Sequence, residues 1–186
     1  MLSTSIKEAT RTAHQDLEKR VVTRLKTINS NEDYADLLKY FYAYFSGVEN
    51  AIRPFITEEL LPDYKERRNS SFIKADIEAL GADVNDLPPA IIPQIGNTLQ
   101  ALGALYVMEG SIMGGSIIVK MLEKMGITQG VSFFSGYGEA TGEKWALFTE
   151  VMNKTAQTPE DEEVSIKAAN DTFSCFADTF DTVKAA

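Results

Sequence analysis

Leu105-Tyr106-Val107-Met108-Glu109-Gly110-Ser111-Ile112-Met113-Gly114-Gly115 is the stretch on which the reading of this chain turns. It sits inside a long segment of helical period running from about Gly96 to Lys124. Gly110, Gly114 and Gly115, with Gly103 seven residues before Gly110, fall close to one face of that helix. Glycine in a helix interior costs about 0.8–1 kcal/mol relative to alanine, so the last three forgo on the order of 2–3 kcal/mol. Two arrangements offset such a loss. Either another helix packs closely on the bare backbone, or a ligand lies against it with the helix free to bend over it. Spacing alone leaves both open.

Outward from this segment the chain reads as helices in both directions. Ser5-Ile6-Lys7-Glu8 is a capping box opening a first helix, with Ile6, Thr10, Ala13, Leu17, Val21 and Leu25 along one face. Asn29 to Asp33 is a loop and N-cap for a second helix carrying Leu37, Leu38, Phe41, Tyr44, Phe45 and Val48, which Pro54 should kink or end. A shorter helix starts near Ser70 and closes at Gly81. The proline-rich run from Ala82 to Pro93 is a connector, and 126–138 reads as irregular. Two last helices cover about Gly142–Lys154 and Pro159–Val183, the latter burying Val164, Phe173, Phe176 and Phe180. The expectation is an all-α multi-helical bundle of six to eight helices forming a single domain over residues 1–186.

Composition narrows the function. A net charge of −9 argues against a nucleic-acid partner. The charge is uneven, because residues 1–26 carry +3 and the remainder −12. That basic segment is either a solvated helix face or a surface meeting an anion, such as a carboxylate-bearing ligand or an acidic redox partner. The single cysteine, Cys175, forms no internal disulfide and reads as a core thiol. No signal-peptide core and no run of about 18 apolar residues appear, so a soluble cytoplasmic protein with no membrane anchor is expected.

His14 is the only histidine in the chain. Alone it forms no zinc site of the usual kind and no pair of Glu-x-x-His di-iron motifs. It can be the one protein ligand of a haem iron, because the porphyrin supplies the other nitrogens. The alternative is a packed core or surface histidine. Glu18 lies one turn on, able to accept from the other ring nitrogen and orient the ring, or to act as an ordinary helix charge. Lys7 and Arg11 precede His14 by seven and three residues and Tyr106 precedes Gly110 by one turn. The cations would suit carboxylates on a ligand. Walker, dinucleotide and Cys/His metal motifs are missing. Phe133, Phe134, Tyr137, Trp145 and Phe148 read as core aromatics.

Ile6-Lys7-Glu8-Ala9-Thr10-Arg11-Thr12-Ala13-His14 with Glu18 resembles the proximal-helix signature of haem oxygenases. Leu105 to Ser111 with Gly114-Gly115 is similar to their distal helix in its bacterial form, and Phe133-Phe134, Tyr137-Gly138, Gly142, Trp145 and Phe148 echo a third, weaker block. The resemblance spans about residues 5 to 180.

The resemblance implies a helical fold clamping haem, which is both cofactor and substrate, between the first helix and the glycine-rich one. His14 would be the proximal iron ligand oriented by Glu18, with Gly110, Gly114 and Gly115 walling the distal side. Lys7, Arg11 and Tyr106 match positions that commonly hold the propionates. Dioxygen and an external electron donor (a ferredoxin, a flavodoxin or a reductase) would open the ring to biliverdin, carbon monoxide and ferrous iron. The purpose would be iron acquisition or bilin supply. Eukaryotic members carry aspartate where this chain has Ser111, so proton delivery would run through Ser111, Ser116 or ordered water. A haem carrier or sensor of the same fold is the rival reading.

Overall fold

The computed structural model describes residues 1–181, in which every regular element is helical. The elements are α1 (Leu2–Ala9), α2 (Arg11–Leu25), α3 (Asn31–Ile52), α4 (Ser70–Ala79), α5 (Thr98–Lys124), α6 (Ser132–Ser135), α7 (Thr141–Thr155) and α8 (Pro159–Asp181). The expected end of the last helix at Val183 lies outside the described residues.

Local chemistry accounts for most boundaries. Ser30 caps α3 by accepting from the Asp33 amide at 3.1 Å, and Asn97 caps α5 by accepting from the Gln100 amide at 2.9 Å. The helix α3 stops at Ile52, two residues before Pro54. Beyond α4 the chain reverses through Gly81 at φ +81°, a conformation that a side chain resists.

Two expectations about the termini of elements are corrected. The first helix begins at Leu2, and the Ser5 hydroxyl donates back to the Met1 carbonyl instead of capping. That helix also breaks at Thr10, whose buried hydroxyl donates to the Ile6 carbonyl at 2.7 Å while the backbone leaves helical angles. The stretch 126–138 is more ordered than its composition implies. The Asp76 carboxylate accepts from the Ser132 amide (3.0 Å), the Ser132 hydroxyl (2.7 Å) and the Phe133 amide (2.8 Å), fastening the start of α6. The Tyr34 hydroxyl holds the Gly130 carbonyl at 2.7 Å.

The core is aromatic around α3. Phe41 meets Phe176 edge-on at 5.0 Å and Phe45 meets Phe133 edge-on at 5.2 Å. Of the expected core aromatics, Phe133, Phe134 and Phe148 are buried, whereas Tyr137 and Trp145 are half-buried. Val164 and Phe180 are also only half-buried. Although α5 is long and apolar enough to cross a bilayer, with mean hydropathy 1.5 over its best window, half of that window is buried inside the protein. It is a core helix.

Helix α8 packs against α1, α2, α3 and α5. It follows α2 in the same direction: Asn170 bonds the Ala9 carbonyl, Phe173 lies by His14, and Arg20 reaches Ala177 and Asp181. Against α5 it comes so close that a methyl group on Gly103 would overlap the Ser165 carbonyl. Gly103→Ala should therefore destabilise the protein by about 1–3 kcal/mol despite its better helix propensity. Urea unfolding at equilibrium measures this, and an unchanged or raised midpoint would contradict the close approach.

Candidate functional site

Helices α2 and α5 both rest on α8, while contact between α2 and α5 themselves is slight among the described residues. One tie joins them at the base of the cleft, where the half-buried Tyr106 ring brings its hydroxyl to the Thr10 side chain. Burial raises the Tyr106 pKa, and the Thr10 hydroxyl partly offsets this. One turn beyond Thr10 on α2 stands His14, and one turn beyond Tyr106 on α5 stands Gly110. The break at Thr10 thus sets the angle at which the His14 helix leaves the tie.

His14 is exposed, with its ring tilted at 5.4 Å over Phe173 on the floor of α8. Neither ring nitrogen has a hydrogen-bond partner among the described residues, and Glu18 stands exposed one turn away without bonding it. Lys7 and Arg11 are exposed on the same N-terminal stretch. Opposite, the face of α5 carries Tyr106, Gly110, Met113, Gly114 and Ile117. Met113 is 56 % and Ile117 62 % exposed, an apolar surface that the fold itself leaves bare.

The glycines divide between the two roles that their spacing left open. A methyl group on Gly114 would meet nothing within 4 Å, and one on Gly110 would make only an ordinary contact, 3.8 Å from the tip of Trp145. Gly115 is different. A side chain there would overlap the Phe134 carbonyl, so its bareness admits α6 and not a ligand. This corrects the expectation that all three glycines wall one site.

Behind α5 lies a buried polar network. Arg67, 2 % exposed, donates to Glu109 (2.6 Å), Asp63 (2.8 Å) and the Lys144 carbonyl (2.8 Å). The Lys144 ammonium closes on Asp63 at 3.0 Å, and the Tyr137 hydroxyl reaches both Glu109 oxygens at 3.1 Å. Burial works against the Arg67 charge, but the bonds to Asp63 and Glu109 outweigh it and raise its pKa. Burial likewise opposes ionised Asp63, whose carboxyl is nonetheless held below the usual range by Arg67 and Lys144. Arg68 turns the other way, donating to the carbonyls of Phe133 (2.7 Å) and Met108 (3.0 Å) and to the Ser111 hydroxyl (2.5 Å). Ser111 in turn donates to the Met108 carbonyl at 2.6 Å. Its hydroxyl is thus engaged from behind, one residue after Gly110.

The sequence matches the family profile described as "Heme oxygenase" over residues 1–182. The chain belongs to the haem oxygenase family. It is 25 % identical over 147 residues to a protein of Xanthomonas campestris named "Heme oxygenase", covering 78 % of this chain and 87 % of that one. To "Heme oxygenase PigA" of Pseudomonas aeruginosa it is 23 % identical over 167 residues, covering 89 % and 84 %. Its fold is similar to the NO- and CO-bound haem oxygenase of Neisseria meningitidis, with a TM-score of 0.81 and 22 % identity, covering 100 % of this chain and 95 % of the other.

Within that family fold, sequence reasoning missed Arg67, Arg68, Glu109, Tyr137 and Lys144. Residues 63–68 were given no role from the sequence, although the Asp63–Arg67 spacing of four permits a pair. The usable signal was Glu109, a lone carboxylate on a helix otherwise apolar around it, which demanded a buried cation.

Glu109→Gln leaves Arg67 buried with one carboxylate instead of two and should cost about 3 kcal/mol in urea unfolding. A second carboxylate makes a pH-dependent case. Glu49, half-buried, accepts from the Ser70 amide (2.5 Å) and hydroxyl (2.6 Å), yet burial pushes its carboxyl above the usual range. A group raised in the folded state stabilises it below the unfolded pKa, and that gain is lost as pH rises through the folded value. Glu49→Gln should therefore lose less stability than the parent as pH rises above about 4, read as the difference in unfolding midpoints.

Proposed function

We propose that this chain binds haem in the cleft between α2 and α5 and opens it to biliverdin, carbon monoxide and ferrous iron. The observation that carries the reading is the pairing across the cleft. One exposed, unpartnered imidazole and Gly110 each stand one turn beyond the same inter-helix tie, and Gly114, a turn further along α5, faces open space. The residues present fit a flat apolar ligand with one metal. His14 is a free nitrogen donor, Gly110 and Gly114 let the ligand lie against backbone, and Met113 and Ile117 supply apolar surface to cover. The names of the Xanthomonas and Pseudomonas relatives, and the NO- and CO-bound state of the Neisseria protein, support it further.

On this reading His14 holds the iron, and Glu18 orients the ring once its free N–H needs an acceptor. Lys7 and Arg11 neutralise the propionates at the Thr10–Tyr106 end of the cleft. Haem, when bound, supplies the iron that activates dioxygen and the porphyrin carbon that is oxidised. The protein holds the small gas beside bare backbone at Gly110, excludes bulk water with Met113 and Ile117, and keeps the Ser111 hydroxyl fixed through Arg68. Electrons come from an external ferredoxin, flavodoxin or reductase that meets the basic N-terminal face. Residues 1–186 act as one cytoplasmic domain, serving iron acquisition or bilin supply.

The test is a haemin titration followed by reductant and oxygen. The parent should give a Soret band and then a biliverdin-like red absorption. His14→Ala should lose the ligand-specific Soret position and all ring opening. Gly114→Val, whose side chain enters open space in the free protein, should fold normally yet bind haemin at least tenfold more weakly. A stable complex that never opens would make the protein a carrier, and an unshifted Soret in His14→Ala would remove the ligand assignment.

A further inference from the structure

Met113 is 56 % exposed on the face of α5 that looks across the cleft toward His14. A helical side chain leans over the turn that precedes it, which here is the turn of Gly110. Gly110 has no side chain to shield the thioether. Glu109, four residues before Met113, is buried behind the helix and held by Arg67. One turn after Met113 stand Ser116 and Ile117, both exposed. The thioether is thus open to solvent on a wall otherwise made of bare backbone and Ile117.

The chain has six methionines, and the fold shields them unequally. Met108 and Met152 are buried, Met121 is half-buried, and Met1, Met113 and Met125 are exposed. Met1 precedes α1 and Met125 follows α5, so of the exposed three only Met113 belongs to the cleft wall.

We infer that Met113 is an oxidation site that sets how tightly the cleft holds its ligand, an inference that rests on the haem reading above. Hydrogen peroxide passes one oxygen to the thioether sulfur, which loses two electrons. The O–O bond breaks and the second oxygen leaves as water. The product is a sulfoxide, a polar acceptor on a wall whose part is to cover an apolar ring. In the free protein that group stays hydrated and the fold is undisturbed. A flat ligand strips the water away, and neither Gly110 nor Gly114 has a side chain to donate in its place.

The experiment treats the haem-free full chain with hydrogen peroxide, removes the peroxide with catalase, assigns the methionines by peptide mass spectrometry and then titrates haemin. Met1, Met113 and Met125 should oxidise well ahead of Met108 and Met152, and the haemin Kd should rise about tenfold. Methionine sulfoxide reductases should restore the starting Kd. Met113→Leu, whatever its own Kd, should show no further rise on oxidation, although Met1 and Met125 still react. Gallium protoporphyrin, whose metal is redox-inactive, should when bound first slow the oxidation of Met113 alone. A Kd unmoved once Met113 is converted, an equal rise in Met113→Leu, or no protection of Met113 by the porphyrin overturns the inference. An untreated parent that binds no haemin refutes the haem reading itself, and this inference falls with it.

Discussion

The structure depends on how closely other backbone comes to α5. At Gly103 the Ser165 carbonyl, and at Gly115 the Phe134 carbonyl, occupy the space a side chain would need. Those two contacts pin the helix to α8 at one end and to α6 at the other. Between them, about three turns of α5 are free to serve two surfaces at once. One face looks into the His14 cleft and the other into the buried network of Arg67 and Arg68. Neither surface could be held in place if α5 shifted by the width of a methyl group, because packed interiors absorb little displacement.

The network behind α5 explains why so apolar a helix keeps a carboxylate. Glu109 with Arg67, Asp63 and Lys144 ties α5 to the loop after α3 and to α7. Such a buried set contributes little net stability against an apolar replacement, but breaking it by removing one partner is expensive. Its value here is positional. Arg67 and Arg68 are neighbours in sequence, and their guanidiniums engage a single turn of α5 through Glu109, Met108 and Ser111. A polar grip at three points fixes both the rotation and the register of the helix, which apolar packing alone would leave looser.

How much of this was legible follows from the range of each interaction. The helices were readable because their period, caps and breakers are local: the 29–33 loop as a cap, Pro54 and Gly81 as stops. The same logic failed at Ser5, where a capping pattern lies inside a helix already begun at Leu2, so a local signal was overridden by three earlier residues. It failed again at 126–138, where order comes from Asp76 and Tyr34, dozens of residues away. His14 and the glycines stood out in sequence because each is unusual where it sits. Assigning Gly115 to packing and Gly114 to open space required knowing where Phe134 goes, which spacing does not encode. Arg68 gave no signal, since two adjacent arginines in a charged loop look like solvent-facing residues.

The exposure of His14 bears on the proposed ligand in a particular way. An imidazole turned to solvent argues against a metal only if nothing around it is built for one. Here its ring rests on Phe173, so its orientation is constrained on one side while its nitrogens stay unpaired. Across the cleft, Met113 and Ile117 leave more than half of their surface in water on the same face as the two open glycines. A helix that gives up propensity at Gly110 and Gly114 and also exposes large apolar groups beside them is suboptimal twice over as a free surface. Both losses are recovered by the same event, burial of a flat apolar molecule against that face. With the cleft closed below by Thr10 and Tyr106, such a molecule has to enter from the far edge. Lys7 and Arg11 stand exposed beside the Thr10–Tyr106 end, where cations can meet any acid groups such a molecule carries.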